Sequence, residues 1–134
     1  MAEEILKFTK LTFLIHFILG VVFTVLYWIP EVTGLLFGIT TTPSLNSSSM
    51  TIAALFLALT VSSLLGFLAK EWKQVKIIVI AEIVWLVASF INLIINFAAA
   101  PLSMNILNLI VGLVLLVLFL LTFLQQEDKL KPLL

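Results

Sequence analysis

Four long apolar segments constrain the fold of this chain more than any other feature of its sequence. They cover approximately residues 8–29, 50–69, 76–98 and 104–125, and each approaches the ~20 residues with which a helix crosses ~30 Å of hydrocarbon. Only 10% of the residues are charged, whereas about a quarter of a typical soluble domain is charged. The connections are short, so we expect successive helices to be antiparallel neighbours. The sequence therefore predicts an all-α integral membrane protein, in which residues 1–134 form one antiparallel four-helix bundle.

The lysines are distributed unequally among the segments that flank the spans. All seven cations are lysines, and they lie before the first span, around the connection between the second and third, and after the fourth: Lys7, Lys10, Lys70, Lys73, Lys76, Lys129 and Lys131. The other two connections contain no lysine or arginine. Because positive residues are retained on the cytoplasmic side, we expect a multi-pass protein of the cytoplasmic (plasma) membrane with both termini cytoplasmic, N-in/C-in.

The outer loop, residues 30–49, is the longest connection. It begins at Pro30, which ends or kinks a helix because proline lacks a backbone N–H. The apolar residues 31–39 are too few to cross a membrane, so they predict a surface-lying or re-entrant turn. Asn46 opens an N-glycosylation pattern, which we interpret as an unmodified polar loop, and we expect residues 40–49 to be its most mobile part. The preceding first span exceeds the roughly 7–15 apolar residues of a signal peptide, so we expect a retained helix.

The third span carries polar residues on one helical face. Glu82, Trp85, Ser89, Asn92 and Asn96 follow one another at intervals of three and four residues, which places them in one stripe on a helix. The rest of that span is mostly isoleucine, valine, leucine, phenylalanine and alanine. Because polar groups within a membrane rarely face lipid, we expect the stripe to face the interior of the bundle.

The other three spans have comparable faces. The polar and small residues of the first and fourth spans recur at helical spacing, so we expect both sets to face the interior. In the second span, small residues recur every four positions and predict a ridge for close helix packing. These sets are, for the first span, Thr9, Thr12, His16, Gly20, Phe23 and Tyr27; for the second, Ala54, Ala58, Ser62 and Gly66; and for the fourth, Asn105, Asn108, Gly112, Leu115, Phe119 and Thr122.

Depth along the helices divides the polar residues into an inner, ionisable tier and an outer, uncharged one. A rise of 1.5 Å per residue places His16 and Glu82 ~9–12 Å from the cytoplasmic side, at a level that Ser62 and Ser63 also reach. We expect Glu82 to form a neutral hydrogen-bonded pair with His16 or Ser62, because each buried ion costs several kcal/mol. Replacement of Glu82 by glutamine should then be tolerated, and replacement by leucine should be more costly because it strands the partner.

Both tiers have two interpretations. The inner pair either fixes the register of the helices or takes part in function. The outer tier consists of Tyr27, Asn92, Asn96, Asn105 and Asn108. Its asparagines are either hydrogen-bonded connections between the third and fourth spans or the lining of a ligand cavity.

The residue types that are absent exclude several kinds of chemistry. The sequence contains no cysteine, which excludes disulfides, thiolate metal sites and thiol redox reactions. It contains no arginine, so it lacks the bidentate clamps that bind phosphate, and we expect no nucleic-acid partner. One histidine and one buried glutamate do not make a metal site. We therefore expect no catalytic residues, no metal and no cofactor.

Several four-helix membrane families fit poorly. Thiol oxidoreductases that use quinones, tetraspanins and claudins need cysteines; glutathione-using membrane enzymes rely on arginines; and small multidrug-resistance transporters carry their essential glutamate in the first helix. The order of glycine, proline and tryptophan residues instead resembles small DoxX-like four-helix membrane proteins. The residues that carry this resemblance are Gly20, Pro30, the "GLLFG" of residues 34–38, Gly66, Trp72 and Trp85. The resemblance spans most of the chain and implies the fold, and it transfers no catalytic residue.

Two functions are compatible with the sequence. The first is a non-enzymatic accessory, scaffold or assembly subunit that acts with other membrane-protein subunits or with copies of itself, in contact with membrane lipids. This is the function that we expect, because the loops are small and the exterior is almost uniformly apolar. The second is binding or transport of a lipid-like or small amphipathic ligand in the bundle interior, with Glu82 as its anchor. A pocket open to the outer leaflet or to water, with a ligand bound at Glu82 and Asn92, would favour the second function. A solid interior with extensive lateral contacts would favour the first.

Overall fold

A computed structural model of the chain describes residues 4–134, which contain five α-helices and one short 3-10 helix. The α-helices are α1 (Lys7–Trp28), α2 (Pro30–Phe37), α3 (Pro43–Leu68), α4 (Trp72–Ile95) and α5 (Leu102–Gln126), and the 3-10 helix Phe97–Ala99 follows α4. Helices α1, α3, α4 and α5 are each long enough and apolar enough to cross a membrane. The chain is thus all-helical, with four candidate membrane spans.

The second long helix begins seven residues before the predicted span at residue 50 and converts much of the outer loop into helix. Its start is a capping structure: the Thr42 hydroxyl accepts a hydrogen bond from the Leu45 N–H at 3.2 Å, and Pro43 occupies the first turn. Threonine before a helix and proline at its first position both favour helix initiation. Hydropathy marks the apolar part of a helix, so it misses polar first turns such as this one.

The short helix α2 folds back on the end of α1. The Thr33 hydroxyl donates a hydrogen bond to the Leu26 carbonyl at 2.6 Å, in the last turn of α1 where carbonyls have no partner within the helix. At the other end, Gly38 closes α2 in the left-handed conformation, with φ of 67°. With eight residues, α2 is too short to cross a membrane, as the sequence predicts.

The closest helix packing is between α1 and α3. Gly20 of α1 lies directly against the Thr60 side chain of α3, and Gly66 of α3 lies against the Phe13 ring of α1. Farther along, the Ser49 hydroxyl donates a hydrogen bond of 2.8 Å to the Tyr27 carbonyl. The two helices are therefore in contact along most of their length.

The face of α3 that makes these contacts is not the predicted ridge. The buried residues of α3 are Ser49, Ala53, Thr60, Ser63 and Gly66. Of the predicted ridge, Gly66 is buried, Ser62 is half-buried, and Ala54 and Ala58 are exposed on the surface of the chain. Helix α3 has small residues on several faces, and the packing face is selected by the shape of α1 opposite it. Ala54 and Ala58 therefore do not pack between helices within this chain, whereas Gly66 does.

The glycines at these contacts give a testable prediction. In a Gly66→Ala variant, the new Cβ would lie 2.6 Å from the Phe13 ring, which is fully buried and has little room to move. We expect the free energy of unfolding in detergent to fall by about 1–2 kcal/mol, as overpacking typically costs. In the control Gly112→Ala, the new Cβ would lie 3.5 Å from the Phe90 ring, an ordinary contact, so stability should change little. Equal losses in both variants would contradict this account of α1–α3 packing.

One end of the helices, next to the chain termini, is joined by hydrogen bonds; we call it the terminal end. Gln126, which is fully buried, accepts hydrogen bonds from the Leu6 N–H at 2.7 Å and the Thr9 hydroxyl at 2.9 Å. Its amide nitrogen donates to the Glu4 carbonyl at 3.2 Å. A single side chain at the end of α5 thus secures the segment that leads into α1.

A second connection at the terminal end involves α4. The Trp72 indole N–H donates a hydrogen bond of 2.6 Å to the Glu127 carboxylate, and the Lys76 ammonium lies 2.8 Å from the same oxygen. The hydrogen bonds from Lys76 and Trp72 hold the pKa of Glu127 below its usual range. The start of α4 is thereby fixed to the end of α5.

Toward the opposite end, which we call the far end, the helices form two pairs. Helix α3 stays against α1, and α4 stays against α5, whereas α3 and α4 share few contacts although only residues 69–71 connect them. The two pairs are joined mainly through α1 and α5, for example by the hydrogen bond of 3.0 Å from the Thr122 hydroxyl to that of Thr12. The incomplete contact between α3 and α4 leaves space between the pairs.

Candidate functional site

The space between the helix pairs is a cavity of about 350 Å³, which lies toward the far end of the helices. All four long helices contribute to its walls, which are mostly apolar and strongly aromatic. Phe23 and Tyr27 of α1 stack with ring centroids 6.3 Å apart, and Phe56 of α3 packs against both. The Trp85 ring meets Phe56 edge-on at 6.0 Å and brings the aromatic wall across to α4. Aromatic side chains of three helices therefore surround the volume.

Polar side chains line the far part of the cavity. The five are Ser89, Asn92, Asn96, Asn105 and Asn108. Asn105 is buried, and its amide donates to the carbonyls of Phe97 at 2.6 Å and Ala100 at 3.2 Å, which holds the turn between α4 and α5. The Asn96 amide donates to the Asn92 side chain at 2.8 Å, at the end of α4. The side chain of Asn108 approaches the Tyr27 hydroxyl.

These contacts bear on both interpretations of the outer tier. The Asn105 amide of α5 bonds to the Phe97 carbonyl, whereas the side chains of Asn92 and Asn96 bond to each other. The asparagines therefore line the cavity, and Asn105 also forms a hydrogen-bonded connection between the predicted third and fourth spans.

The cavity opens between α3 and α4. Trp85, which lines it, is 37% exposed, and Asn92 and Asn96 are also exposed. The predicted stripe on α4 therefore faces the core only in its first part, where Glu82 is 1% exposed. The buried face of α4 has the same spacing of three and four residues but extends toward the start of the helix. Its residues are Trp72, Val75, Val79, Glu82 and Leu86. The outer half of the stripe borders an opening because α3 does not pack on it.

His16 forms the inner limit of the cavity. Its ring is 4% exposed, and its Nδ1 lies 2.5 Å from the Ser63 hydroxyl oxygen of α3. The Phe119 ring of α5 packs edge-on against the imidazole, with ring centroids 5.2 Å apart. The remaining ring nitrogen, Nε2, points toward α4. The histidine is thus held in one orientation by α3 and α5, with one nitrogen directed to Glu82.

Glu82 lies directly behind this histidine. The distance from His16 Nε2 to Glu82 Oε2 is 3.8 Å, so the predicted proximity of these two residues is confirmed. That distance exceeds a hydrogen bond, and neither carboxyl oxygen has a hydrogen-bond partner among the described residues. Ser62, the other predicted partner, donates to the Leu59 carbonyl of its own helix. The prediction of a hydrogen-bonded pair is therefore wrong, and the carboxyl is buried without a partner.

A buried carboxyl in this setting has restricted chemistry. Ionised and unpaired, it would cost several kcal/mol, so it must either carry a proton or face a positive charge. Across the described part of the chain, no group of three or more histidine, aspartate or glutamate residues is placed to hold a metal ion. The arrangement therefore favours proton exchange or pairing with a cation over metal binding.

The polar stripes of the sequence predict most of the polar lining but not the part of the wall that α3 contributes. All nine proposed ligand-binding residues except Glu82 line the cavity, and Glu82 lies behind His16: the eight are His16, Tyr27, Trp85, Ser89, Asn92, Asn96, Asn105 and Asn108. The contributions of α3, Ile52 and Phe56, were not predicted. Helix α3 is apolar on all sides, so no periodicity marks the side that lines a cavity.

The fold and this site define a candidate membrane protein with four apolar helices around a laterally open cavity. No protein-family model matches the chain, and no curated protein or solved structure matches it either. The resemblance to DoxX-like proteins accordingly stays a prediction.

Proposed function

We propose that the chain is an integral protein of the plasma membrane, with its four long helices antiparallel and both termini in the cytoplasm. The contacts between α1 and α3 support the antiparallel arrangement, because Phe13 lies against Gly66 and Tyr27 against Ser49. All seven lysines lie near the terminal end, which supports placing that end in the cytoplasm. The cavity would then open in the outer half of the membrane.

The orientation predicts a labelling pattern in intact cells. The chain has no native cysteine, so a single introduced cysteine reports its own side of the membrane. A cysteine that replaces Ser47, which is exposed at the start of α3, should react with an impermeant thiol reagent added outside. A cysteine that replaces Lys129, exposed after α5, should react only after the cells are opened. The reverse pattern would overturn the orientation.

We further propose that the protein binds a small amphipathic or lipid-like molecule in the cavity between the helix pairs. The observation that carries this proposal is the cavity of about 350 Å³, which lies within the range of roughly 300–1,000 Å³ typical of small-molecule sites. Tightly packed helices that serve only as structure rarely leave such a volume. We propose binding and no reaction, because the sequence predicts no catalytic residues.

The lining supports an amphipathic ligand. The aromatic wall of Phe23, Phe56 and Trp85 suits an apolar body, and the amides of Asn92 and Asn96 near the opening suit a polar group. The opening lies between two candidate membrane spans, so an apolar molecule would reach the cavity from the bilayer without crossing water. An amide-rimmed lateral opening thus matches a molecule that already resides in the membrane.

A photoaffinity experiment tests this proposal. The protein in lipid nanodiscs would be exposed to a long-chain alcohol that carries a diazirine, irradiated, and mapped by peptide mass spectrometry. We expect labels to concentrate on cavity residues such as Tyr27 and Asn108 rather than on the outward side of α4 at Ile77, which is 78% exposed. A Ser89→Trp variant, which fills the cavity from its wall, should lose that labelling severalfold.

The matched control is Ala88→Trp, one residue away on the same helix but exposed and outside the lining. It should keep the labelling pattern of the unmodified protein. Labelling that is uniform over the apolar surface, and unchanged by Ser89→Trp, would reject ligand binding in the cavity. The accessory role would then become the stronger proposal, and stoichiometric co-purification with another membrane protein would support it.

A further inference from the structure

The charges of the four long helices are distributed in an unusual way. Glu82 is the single carboxylic acid of the sequence that falls within α1, α3, α4 or α5. The lysines of these helices lie at their terminal ends, and no residue that lines the cavity is a lysine, aspartate or glutamate. The one acid of the spans is therefore placed behind the inner limit of the cavity, with His16 between them.

We propose that the ligand of this cavity is an organic cation with an apolar body, such as a hydrophobic ammonium compound, and that its binding displaces one proton from Glu82. This inference rests on the proposed function, since it names the chemical class of the ligand and the group that responds to it. The step is an exchange: the protonated carboxyl and the entering cation become a carboxylate and a bound cation, and one proton leaves to solvent. The total charge within the helices is unchanged.

The lining favours a cation over the other classes of ligand. An anion would find no lysine or arginine in the cavity wall, and it would be repelled once Glu82 ionises. A cation finds the aromatic side chains of Phe23, Tyr27 and Trp85 in the lining, and aromatic rings attract ammonium groups. It also supplies the positive charge that a buried carboxylate without a hydrogen-bond partner requires.

The groups around Glu82 leave few alternative sources of the proton. From α1 the only titratable side chain that faces it is His16, at 3.8 Å, and from α3 the nearby polar group is Ser63, which is bonded to that histidine. At the level of His16, α5 contributes Phe119, and α5 contains no titratable residue. On α4 itself, Lys76 is engaged with Glu127 at 2.8 Å. The exchange is therefore confined to the His16–Glu82 pair.

His16 acts in this scheme as a positioning residue. Its Nδ1 is bonded to Ser63, which leaves Nε2 directed to the carboxyl. A cation at the inner limit of the cavity would lie one imidazole away from Glu82. In the low-dielectric interior, charges at such separations still interact strongly, so the carboxyl responds without needing direct contact with the ligand.

The test compares two probes of the same shape in the full-length protein in nanodiscs. Benzyltrimethylammonium is the cation, and neopentylbenzene, in which carbon replaces the charged nitrogen, is its neutral counterpart. Each would be used to protect the cavity from the diazirine label between pH 5.5 and 9. Calorimetry of the cation in two buffers that differ in ionisation enthalpy would count released protons. A quaternary ammonium has no proton to lose, so any released proton comes from the protein.

We expect the cation to protect more strongly than the neutral probe, with an affinity that rises by up to about tenfold per pH unit while the free protein holds the proton. Calorimetry should show release of about one proton. Glu82→Gln keeps the shape of the side chain and should abolish both the pH dependence and the proton release. Glu71→Gln, which changes an acid at the terminal end outside the cavity, should abolish neither.

The outcomes separate the two proposals. If both probes protect equally and no proton is released, the cavity binds ligands but the cation-exchange inference is wrong. If neither probe protects and the diazirine label ignores the cavity, the proposed function itself fails. If Glu82→Gln does not fold, proton release by the unmodified protein still decides, because absence of release overturns the inference on its own. Proton release that persists in a folded Glu82→Gln variant would assign the exchange to another group and reject the role of Glu82.

Discussion

A Gln126→Leu variant should have a free energy of unfolding about 2–4 kcal/mol lower than that of the unmodified protein. This is the largest loss of stability that we expect from a single polar substitution in this chain. Gln126 is fully buried and makes three hydrogen bonds to the segment before and within the first turn of α1, through Glu4, Leu6 and Thr9. Stranding a buried polar group costs about 1–3 kcal/mol, and water near the membrane surface offsets part of that cost. Reversible unfolding of the purified protein in mixed detergent micelles measures the change.

The adjacent glutamine provides the control. Gln125 is equally buried, but its amide nitrogen has no partner and its oxygen accepts one hydrogen bond, from the Leu133 N–H at 3.1 Å. Gln125→Leu removes the same volume and polarity while stranding only that one donor. We expect it to be nearly neutral, because one lost bond is offset by removal of an unpaired buried amide. Equal losses for Gln125→Leu and Gln126→Leu would show that the three contacts do not carry the stability of the terminal end.

The sequence predicts the helices of this chain well because length and hydropathy decide them. Helices α1, α4 and α5 begin and end within four residues of the predicted spans. The exception is the start of α3, where a polar turn follows the Thr42 cap. That cap and the following Pro43 form a helix-start signal that hydropathy does not read. The missed turn thus had a signal of a different kind.

The packing faces were predictable only where polar and small residues are confined to one side. On α1 every residue of the predicted face is buried, since no other side of that helix offers a comparable set. On α3 the small residues are spread around the helix, and the predicted ridge includes the exposed Ala54 and Ala58. The choice between faces depends on Gly20 and Phe13 of the opposite helix, which periodicity within α3 cannot contain.

The candidate site also has one part that the sequence predicts and one part that it does not. Counting residues from the membrane surface placed His16 and Glu82 at one depth, and the structure places them 3.8 Å apart. The cavity could not be predicted by counting residues along the sequence. It forms because α3 packs against α1 and does not pack on the outer half of α4. A stripe that spacing assigns to the core can therefore line an opening instead, as Asn92 and Asn96 do.

A Glu82→Leu variant should be more stable than the unmodified protein, by about 1–3 kcal/mol, because it removes a buried polar group that has no partner. This reverses the expectation from sequence, in which leucine would strand a bonded neighbour. His16 keeps its hydrogen bond to Ser63 in this variant, so nothing is stranded. The same change should abolish the pH dependence of cation binding, since stability gained at a functional site commonly comes with lost function.

The control for the sign of this effect is Thr122→Val, a change of similar shape at another buried polar position. Thr122 donates a hydrogen bond of 3.0 Å to Thr12, so its removal leaves a buried hydroxyl without that donor. We expect Thr122→Val to lower the free energy of unfolding by about 1 kcal/mol, while Glu82→Leu raises it. Unfolding in mixed micelles at pH 6 and pH 8 measures both. If Glu82→Leu instead destabilises the protein as Thr122→Val does, then the carboxyl has a stabilising partner in the membrane, and its role as an unpaired, exchangeable acid is refuted.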